Sequence, residues 1–222
     1  GDAAVMRREF SAAVKAYRQV PPGNGSPELG GKLEKATDSL VGDLTKQARR
    51  HLEDGKFEEA LTTAREGLEY RETNDLSLLA KEAKQKLVQH AIDTGRMLLE
   101  REEFDNAMAS FETALKYESS AETQRLLLDA KAGAARKLVE RARQASEKGD
   151  HREALRLVER ATSLHDLPEH RRVEAELRAK KRAWEEENFA RLTGEARVLL
   201  SQKKWEDAHT TYRKAFEFLQ DE

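Results

Sequence analysis

An aromatic ring that is followed three residues later by alanine recurs along this chain at a fixed interval. Phe10, Phe57 and Phe104 are successive rings, each 47 residues after the last. His151 keeps this interval with a different ring, and Trp205 follows after 54 residues. The alanines are Ala13, Ala60, Ala107, Ala154 and Ala208. A period of this length indicates one helical unit that is copied and stacked, because a single unit cannot bury its own apolar face.

Three further positions agree when the copies are aligned on the ring. The ninth residue before the ring is small: Ala48, Gly95, Ala142 and Ala196. The seventh residue after it is apolar or aromatic: Tyr17, Ala64, Phe111, Val158 and Tyr212. The tenth residue after it is mostly small: Val20, Gly67, Ala114, Ala161 and Ala215. Small residues in register are typical of helices that approach closely, so these columns predict the packing positions of the repeat.

These columns resemble the tetratricopeptide repeat, a helix-turn-helix unit. Its first helix carries a small residue, and its second carries a ring, an alanine, a ring and an alanine at fixed spacing. The second-helix pattern is formed by Phe104, Ala107, Phe111 and Ala114, and again by Trp205, Ala208, Tyr212 and Ala215. Gly95 matches the small first-helix residue, and Gly55 and Gly149 match the turn glycine of the family. The resemblance covers nearly the whole chain.

Two departures from the family pattern are visible. The proline that follows the second helix has no counterpart after Leu68 or Leu115, and the unit is about 13 residues longer than the usual 34. The resemblance therefore implies an all-α, right-handed solenoid of antiparallel helix pairs with elongated first helices and no β-sheet.

The predicted organisation is a single elongated domain over residues 1–222. Its units are a truncated helix at about 1–9, followed by 10–56, 57–103, 104–150, 151–204 and 205–222. The first copy has only a short first helix, so we interpret the chain as a fragment of a larger protein, with Gly1 compatible with a cleaved tag.

The apolar spacing predicts that short and long helices alternate. Long helices are expected to start at Ser26 before Pro27, at Thr73, at a capping box of Ser119 with Glu122, and at Asp166 before Pro168. They are expected to end near Asp54, Glu102, Lys148 and Gln202. Short helices are expected at Phe57–Tyr70 and from Trp205 to about Leu219. The seven extra residues of the 54-residue unit lengthen its long helix by nearly two turns.

The composition is typical of long solvated helices, and it argues against a membrane-spanning protein and against a disulfide-bonded one. Charged residues make up 37% of the chain and aromatic residues 6%. The chain has no stretch of 18 uncharged apolar residues, so we predict no membrane span. Cysteine is absent, which fits the cytoplasm and also an extracytoplasmic site without disulfides. The compartment stays open, with a cytoplasmic location favoured.

The most suggestive polar column is arginine, directly after the small first-helix residue: Arg49, Arg96, Arg143 and Arg197. The resemblance places this column on the concave groove where a peptide partner lies, and arginine can hold carboxylates or phosphates through two hydrogen bonds. The alternative is a solvated face, because Glu53, Glu100 and Glu147 lie four residues after the first three arginines and could pair with them. Arg197 has Ser201 in that place, so it is the arginine to test first.

Other candidate sites are weaker. His165, His170, Asp166 and Glu169 could in principle bind a metal ion, but they straddle a helix start and favour a surface cluster. We find no phosphate-binding loop, zinc-protease motif or nucleophile elbow. We therefore predict no catalytic residue, no metal and no cofactor. The basic run from Arg171 to Arg182 is diluted by glutamates, so nucleic acid is not an expected partner.

The last helix carries Phe216, Phe218 and Leu219, which cannot all face the preceding helix. This end is therefore either covered by a further helix or an interface. The function we predict is a non-catalytic scaffold that binds a protein or peptide along the concave helical face. The alternatives are a homo-oligomeric assembly component, or a regulatory or targeting segment of a larger enzyme such as a kinase.

Overall fold

Every element of regular secondary structure in the described part of the chain is an α-helix. The computed structural model describes residues 1–6, 9–19 and 27–218. The helices are α1 Asp2–Met6, α2 Phe10–Arg18, α3 Pro27–Glu53, α4 Phe57–Tyr70, α5 Asn74–Glu100, α6 Phe104–Tyr117, α7 Ala121–Glu147, α8 His151–Leu164, α9 Pro168–Ser201 and α10 Trp205–Glu217. This confirms the all-α class and the packing of helices in consecutive pairs. Val20, Ser26 and Leu219 lie outside the described residues.

One type of turn joins each long helix to the short helix that follows it. At the end of α3, Gly55 has a φ of +75°, and the backbone N–H of Lys56 donates to the carbonyl of His51 at 2.8 Å. This bond spans five residues and is the closing bond of a Schellman motif. Lys56 is also the N-cap of α4, so the turn ends one helix and begins the next without a linker.

The same turn recurs at the interval of the sequence repeat. Residues with positive φ follow at Glu102 (57°), Gly149 (82°) and Lys203 (61°). The five-residue backbone bonds join Glu9 to Ala4, Glu103 to Leu98, Asp150 to Ala145 and Lys204 to Leu199, at 2.8 to 3.0 Å. The period that is visible in the residue types is therefore also a period of backbone geometry, from the first copy to the last.

The starts of the long helices agree only in part with prediction. Thr73 caps α5, because its hydroxyl accepts a hydrogen bond from the Leu76 N–H at 3.3 Å. The capping box at Ser119 is wrong: Ser120 caps α7 by accepting from the Thr123 N–H at 3.4 Å. Either serine precedes the same apolar run, so the residue pattern does not separate them. At α9 the N-cap is Leu167, not Asp166, and Pro168 takes the first helical position.

The helices divide into two compact units. Unit 1 comprises Gly1–Met97 and Ala109–Gln124, and unit 2 comprises Leu98–Met108 and Arg125–Glu222. In unit 1 the main core lies between α3, α4 and α5, where alanines allow close approach and leucines fill the gaps: Ala48, Ala60, Ala64, Ala83, Leu52, Leu61, Leu76 and Leu87. Leu76 is fully buried, and a Cβ on Gly67 would lie 2.7 Å from it. Smaller clusters join α1, α2 and α3, and join α5 to α6.

Unit 2 has an equivalent core between α7, α8 and α9. Its fully buried alanines and the apolar side chains around them are Ala135, Ala142, Ala154, Ala161, Leu138, Leu157, Val158, Val173 and Leu177. Helix α9 has 34 residues against 27 in α5 and α7, so the seven extra residues lengthen the helix as predicted. No residue of α9 between 178 and 195 is fully buried, so the added turns lie in its most accessible stretch.

The repeat columns occupy equivalent positions in the fold. The alanines three residues after the ring are buried in every copy: Ala13, Ala60, Ala107, Ala154 and Ala208. Phe10, Phe57 and Phe104 are half-buried, and so is Tyr212. Phe111 is fully buried against Gly95, where a Cβ would lie 2.5 Å from the ring. Gly1 stands in the same column as Gly95 and faces Tyr17 in the same way.

Each of three rings also contacts the residue 33 positions later, on the next long helix. The Phe57 and His90 rings are 5.8 Å apart, the Lys137 ammonium lies 5.0 Å from the Phe104 ring, and the His151 and Trp184 rings are 5.3 Å apart. The chemistry of the contact varies between copies while its place stays the same. This contact therefore belongs to the packing of the repeat.

We predict that Gly95→Ala destabilises the protein and that Gly31→Ala does not. The added methyl at Gly95 would overlap a buried ring that cannot move away, which costs about 1–3 kcal/mol. Gly31 lies in α3 with open space around it, so alanine there raises the free energy of unfolding by about 0.5–1 kcal/mol through helix propensity. Urea unfolding followed by circular dichroism measures both. Equal effects of the two substitutions would contradict the packing described for Gly95.

The recurring turn predicts opposite effects at two of its copies. Lys203→Gly relieves a left-handed residue and should raise the free energy of unfolding by up to about 1 kcal/mol. Gly149→Ala places a side chain in the same conformation and should lower it by about 1–2 kcal/mol. Tryptophan fluorescence is the readout, because Trp184 and Trp205 both lie in unit 2 with these turns. A loss of stability in Lys203→Gly would contradict the prediction.

Candidate binding groove

The arginine column begins beside an open groove in unit 1. A cavity of about 640 Å³ lies between the C-terminal half of α3 and the start of α5. Its lining is Val41, Gly42, Thr45, Lys46, Arg49, Arg50, Glu53, Thr73, Asn74 and Asp75. Gly42 has nothing within 4 Å of the place where a Cβ would stand, so this part of the lining is open. The groove therefore has room for an extended segment of another chain.

A second cavity of about 370 Å³ adjoins the first, because Arg49, Glu53 and Asp75 line both. Leucines supply its apolar surface: Leu52, Leu78 and Leu79. Leu78 is 57% exposed, although it lies between the buried Leu76 and Leu79 near the start of α5. We call the two cavities together the Arg49 groove. It combines a cationic part with an apolar part, and Arg49 lies where they meet.

The charges of the Arg49 groove are mostly free of intrachain partners. Lys46, Arg49 and Arg50 line the first cavity, and none of them forms an ion pair within the described residues. In the second cavity Lys86 pairs with Glu82 at 3.1 Å. The N-terminus of α5 adds the positive end of a helix dipole to the same place. Glu53 and Asp75 line the same cavity and offset part of this charge. The three cations outnumber the two acids, so with the helix end they favour a ligand that carries carboxylates or phosphates.

Arg96, the next arginine of the column, forms an ion pair with an acid of another helix. The Arg96 guanidinium donates to the Glu122 carboxylate at 2.5 Å, and Glu122 stands at the start of α7. The predicted pairing of Arg96 with Glu100 is therefore wrong. The acid on the following long helix reaches the guanidinium, and that arrangement of two helices cannot be read from spacing along one helix. Arg96 is thus partly neutralised, whereas Arg49 is not.

Arg143 and Arg197 lie in unit 2, and both are exposed. Neither forms an ion pair in the part of the chain that the structure describes, and the expected pairs of Arg49 with Glu53 and of Arg143 with Glu147 are likewise not found there. Arg49, by contrast, lines two adjoining cavities. The structure therefore makes Arg49, not Arg197, the arginine to test first.

The first copy carries an acid where the other copies carry arginine. Asp2 accepts hydrogen bonds from the Tyr17 hydroxyl at 2.5 Å and from the Lys32 ammonium at 3.1 Å. These bonds lower the pKa of the Asp2 carboxyl, the Tyr17 bond most of all. The same bonds raise the pKa of Tyr17 and that of Lys32. Asp2 therefore links α1 to α2 and α3 through hydrogen bonds. At this place in the first copy the column has an acid and not a cation.

The histidine cluster is occupied by contacts within the chain. His170 is 4% exposed, and its Nδ1 donates to the His165 carbonyl at 2.8 Å. Asp166 is held by Arg171 through both carboxylate oxygens, and this lowers the pKa of Asp166. Among the residues described, no group of three acidic or histidine side chains is placed to bind a metal ion. These side chains stabilise the junction of α8 and α9.

Asp75 and Leu78 line the Arg49 groove, and neither was identified as part of it from the sequence. Asp75 stands 18 residues after the ring, and Glu122 and Glu169 occupy the equivalent places in the next two copies. Aligning the acids as well as the arginines would have revealed this column. Leu78 carries no such signal, because its neighbours Leu76 and Leu79 belong to the buried stripe and only packing shows that Leu78 points outward.

No protein-family model matches this chain, and neither does any of the curated proteins that were compared with it. The absence of a membrane-spanning helix is confirmed for the described helices, none of which is long and apolar enough to cross a bilayer.

The Asp2 contacts predict a pH-dependent stability. Because folding lowers the pKa of Asp2, its contribution is present above the unfolded value near about 3.9 and is lost as the pH falls through the folded value. Asp2→Ala should therefore lower the melting temperature at pH 7 and have a smaller effect at pH 3. Differential scanning calorimetry at the two values measures this, with Asp43→Ala in α3 as the control. If Asp2→Ala lowered the melting temperature at pH 3 by as much as at pH 7, the stabilisation could not be assigned to the ionised Asp2 carboxylate.

Proposed function

We propose that this protein is a tetratricopeptide-like helical repeat that binds an acidic peptide or protein segment in the Arg49 groove and catalyses no reaction. The proposal of a tetratricopeptide-like solenoid rests on the ring, alanine and small-residue columns together with the Schellman turn that recurs with them. The observation that carries the binding function is the free guanidinium of Arg49 between α3 and α5.

The groove suits an acidic ligand with an apolar side chain nearby. Arg49, Arg50 and Lys46 can donate to carboxylates, and a guanidinium can do so through two parallel hydrogen bonds. The leucines of the second cavity can bury an apolar side chain of the same ligand. This pairing of one charged and one apolar subsite supports recognition of a polypeptide over a small anion.

The lining favours binding over catalysis. Its two hydroxyl groups bond to the backbone, since Thr45 donates to the Val41 carbonyl at 2.7 Å and Thr73 accepts from the Leu76 N–H. No histidine is among the residues that line either cavity. A nucleophile activated by an adjacent base is the usual requirement for group transfer, and in this lining both hydroxyls are bonded to the backbone. We therefore expect no cofactor at this groove.

Peptide selection tests the proposal. Dodecapeptides selected from a displayed random library on the immobilised 222-residue chain should be enriched in aspartate and glutamate. The dissociation constant of a selected peptide, measured by fluorescence anisotropy, should rise about tenfold or more in Arg49→Ala, because a charge-assisted hydrogen bond is lost. It should also rise with salt concentration.

Arg96→Ala is the matched control, because it removes the same residue type from the same column where Glu122 already holds it. Its effect on the dissociation constant should stay within about twofold. Circular dichroism confirms that both variants fold. Recovery of peptides without acidic residues, or equal binding by wild type and Arg49→Ala, would refute the proposal.

A further inference from the structure

The last helix presents an apolar stripe that the described chain covers only in part. Phe216 has an edge contact with Phe189 of α9, with 6.2 Å between the ring centroids, and Tyr212 is half-buried. Trp205 is 63% exposed and Phe216 is 54% exposed, at the two ends of α10. His209 and Tyr212 lie between them, so the four residues are spaced by four, three and four and share one face of the helix. Ala208 and Ala215 are buried, and they mark the separate face that packs within unit 2.

The repeat shows that this stripe occupies a helix-binding position. Phe57, Phe104 and His151 stand where Trp205 stands, and each contacts a side chain of the following long helix. Trp205 has no such contact among the residues that the structure describes, and it is more exposed than any of the three. The shape of this face is therefore suited to a helix laid along it.

The charges at the edge of the stripe are complementary in one orientation only. Glu206 and Arg213 are exposed, seven residues apart, and lie on the same flank of α10. Neither forms an ion pair within the described residues. If two copies of α10 lie antiparallel, Glu206 of each approaches Arg213 of the other, and Trp205 of each lies near Phe216 of the other. In a parallel pair related by a two-fold axis, the two copies of this flank would lie on opposite sides of the contact, so Glu206 could not pair with Arg213 across it.

We propose that two copies of this chain associate through α10, packed antiparallel about a two-fold axis. The interface is self-complementary, as a two-fold symmetric contact requires, because one apolar stripe and one pair of opposite charges serve both sides. This proposal goes beyond the binding of a peptide in the Arg49 groove and uses none of its residues.

The size of the stripe determines the strength of the association. An aromatic side chain buries roughly 150–250 Å², and part of that area is already covered here, so the two copies together would bury about 600–1,000 Å². This is below the size of standard stable interfaces, so the dimer should be weak and should dissociate on dilution, with a dissociation constant of micromolar order.

Sedimentation velocity over about 1–300 µM measures the association, and the range spans both sides of the expected constant. The wild-type chain should shift from monomer to dimer as its concentration rises. Glu206→Arg and Arg213→Glu should each stay monomeric over the range, because each places like charges opposite one another. The double variant should dimerise again, and so should an equimolar mixture of the two single variants.

Trp205→Ser tests the apolar part and should also stay monomeric, whereas Arg49→Ala should dimerise like wild type. Circular dichroism establishes that each variant is folded, and the restored dimer of the double variant does not depend on that control. A wild-type chain that stays monomeric at the highest concentration would overturn the proposal. So would single variants that dimerise as wild type does, or a double variant that does not regain the dimer.

Discussion

Each long helix of this protein ends in a left-handed residue, and the N–H of the next residue bonds to the carbonyl five positions back. That next residue is already the N-cap of a short helix, as Lys56 is for α4. With no linker between the two helices, their faces have a set rotational relation. The buried alanine of the short helix and the small residue of the long one then share a core, as Ala60 and Ala48 do in unit 1 and as Ala154 and Ala142 do in unit 2.

Side-chain size at the small positions determines how the rest of the core is filled. Where the chain has Gly95, a whole phenylalanine ring is buried against the backbone, and where it has Gly67, a leucine is. Larger residues at these places would force the helices apart. The same principle allows the ring contacts to vary, because His90, Lys137 and Trp184 all fill one position at the surface of the pair and pack there through different chemistry.

Equivalent positions in the repeat need not have equivalent chemistry. Arg49 and Arg96 occupy the same column in unit 1, yet only Arg96 is held by an acid of the following helix. Glu122 reaches the guanidinium in one copy, whereas Asp75 has a shorter side chain and forms no ion pair with Arg49 in the described structure. Whether an arginine of the column is paired therefore depends on the side chains around it and not on its place in the column.

Residue periodicity was enough to predict the helices, their alternation, the buried alanines and the lengthened α9, because these depend on interactions within about one repeat. It placed one helix cap at Ser119 instead of Ser120, since both hydroxyls precede the same apolar run. The free Arg49, the engaged Arg96 and the outward Leu78 were decided only by the tertiary structure. Each depends on which side chain an adjacent helix brings near, and the sequence spacing within one helix carries no information about that.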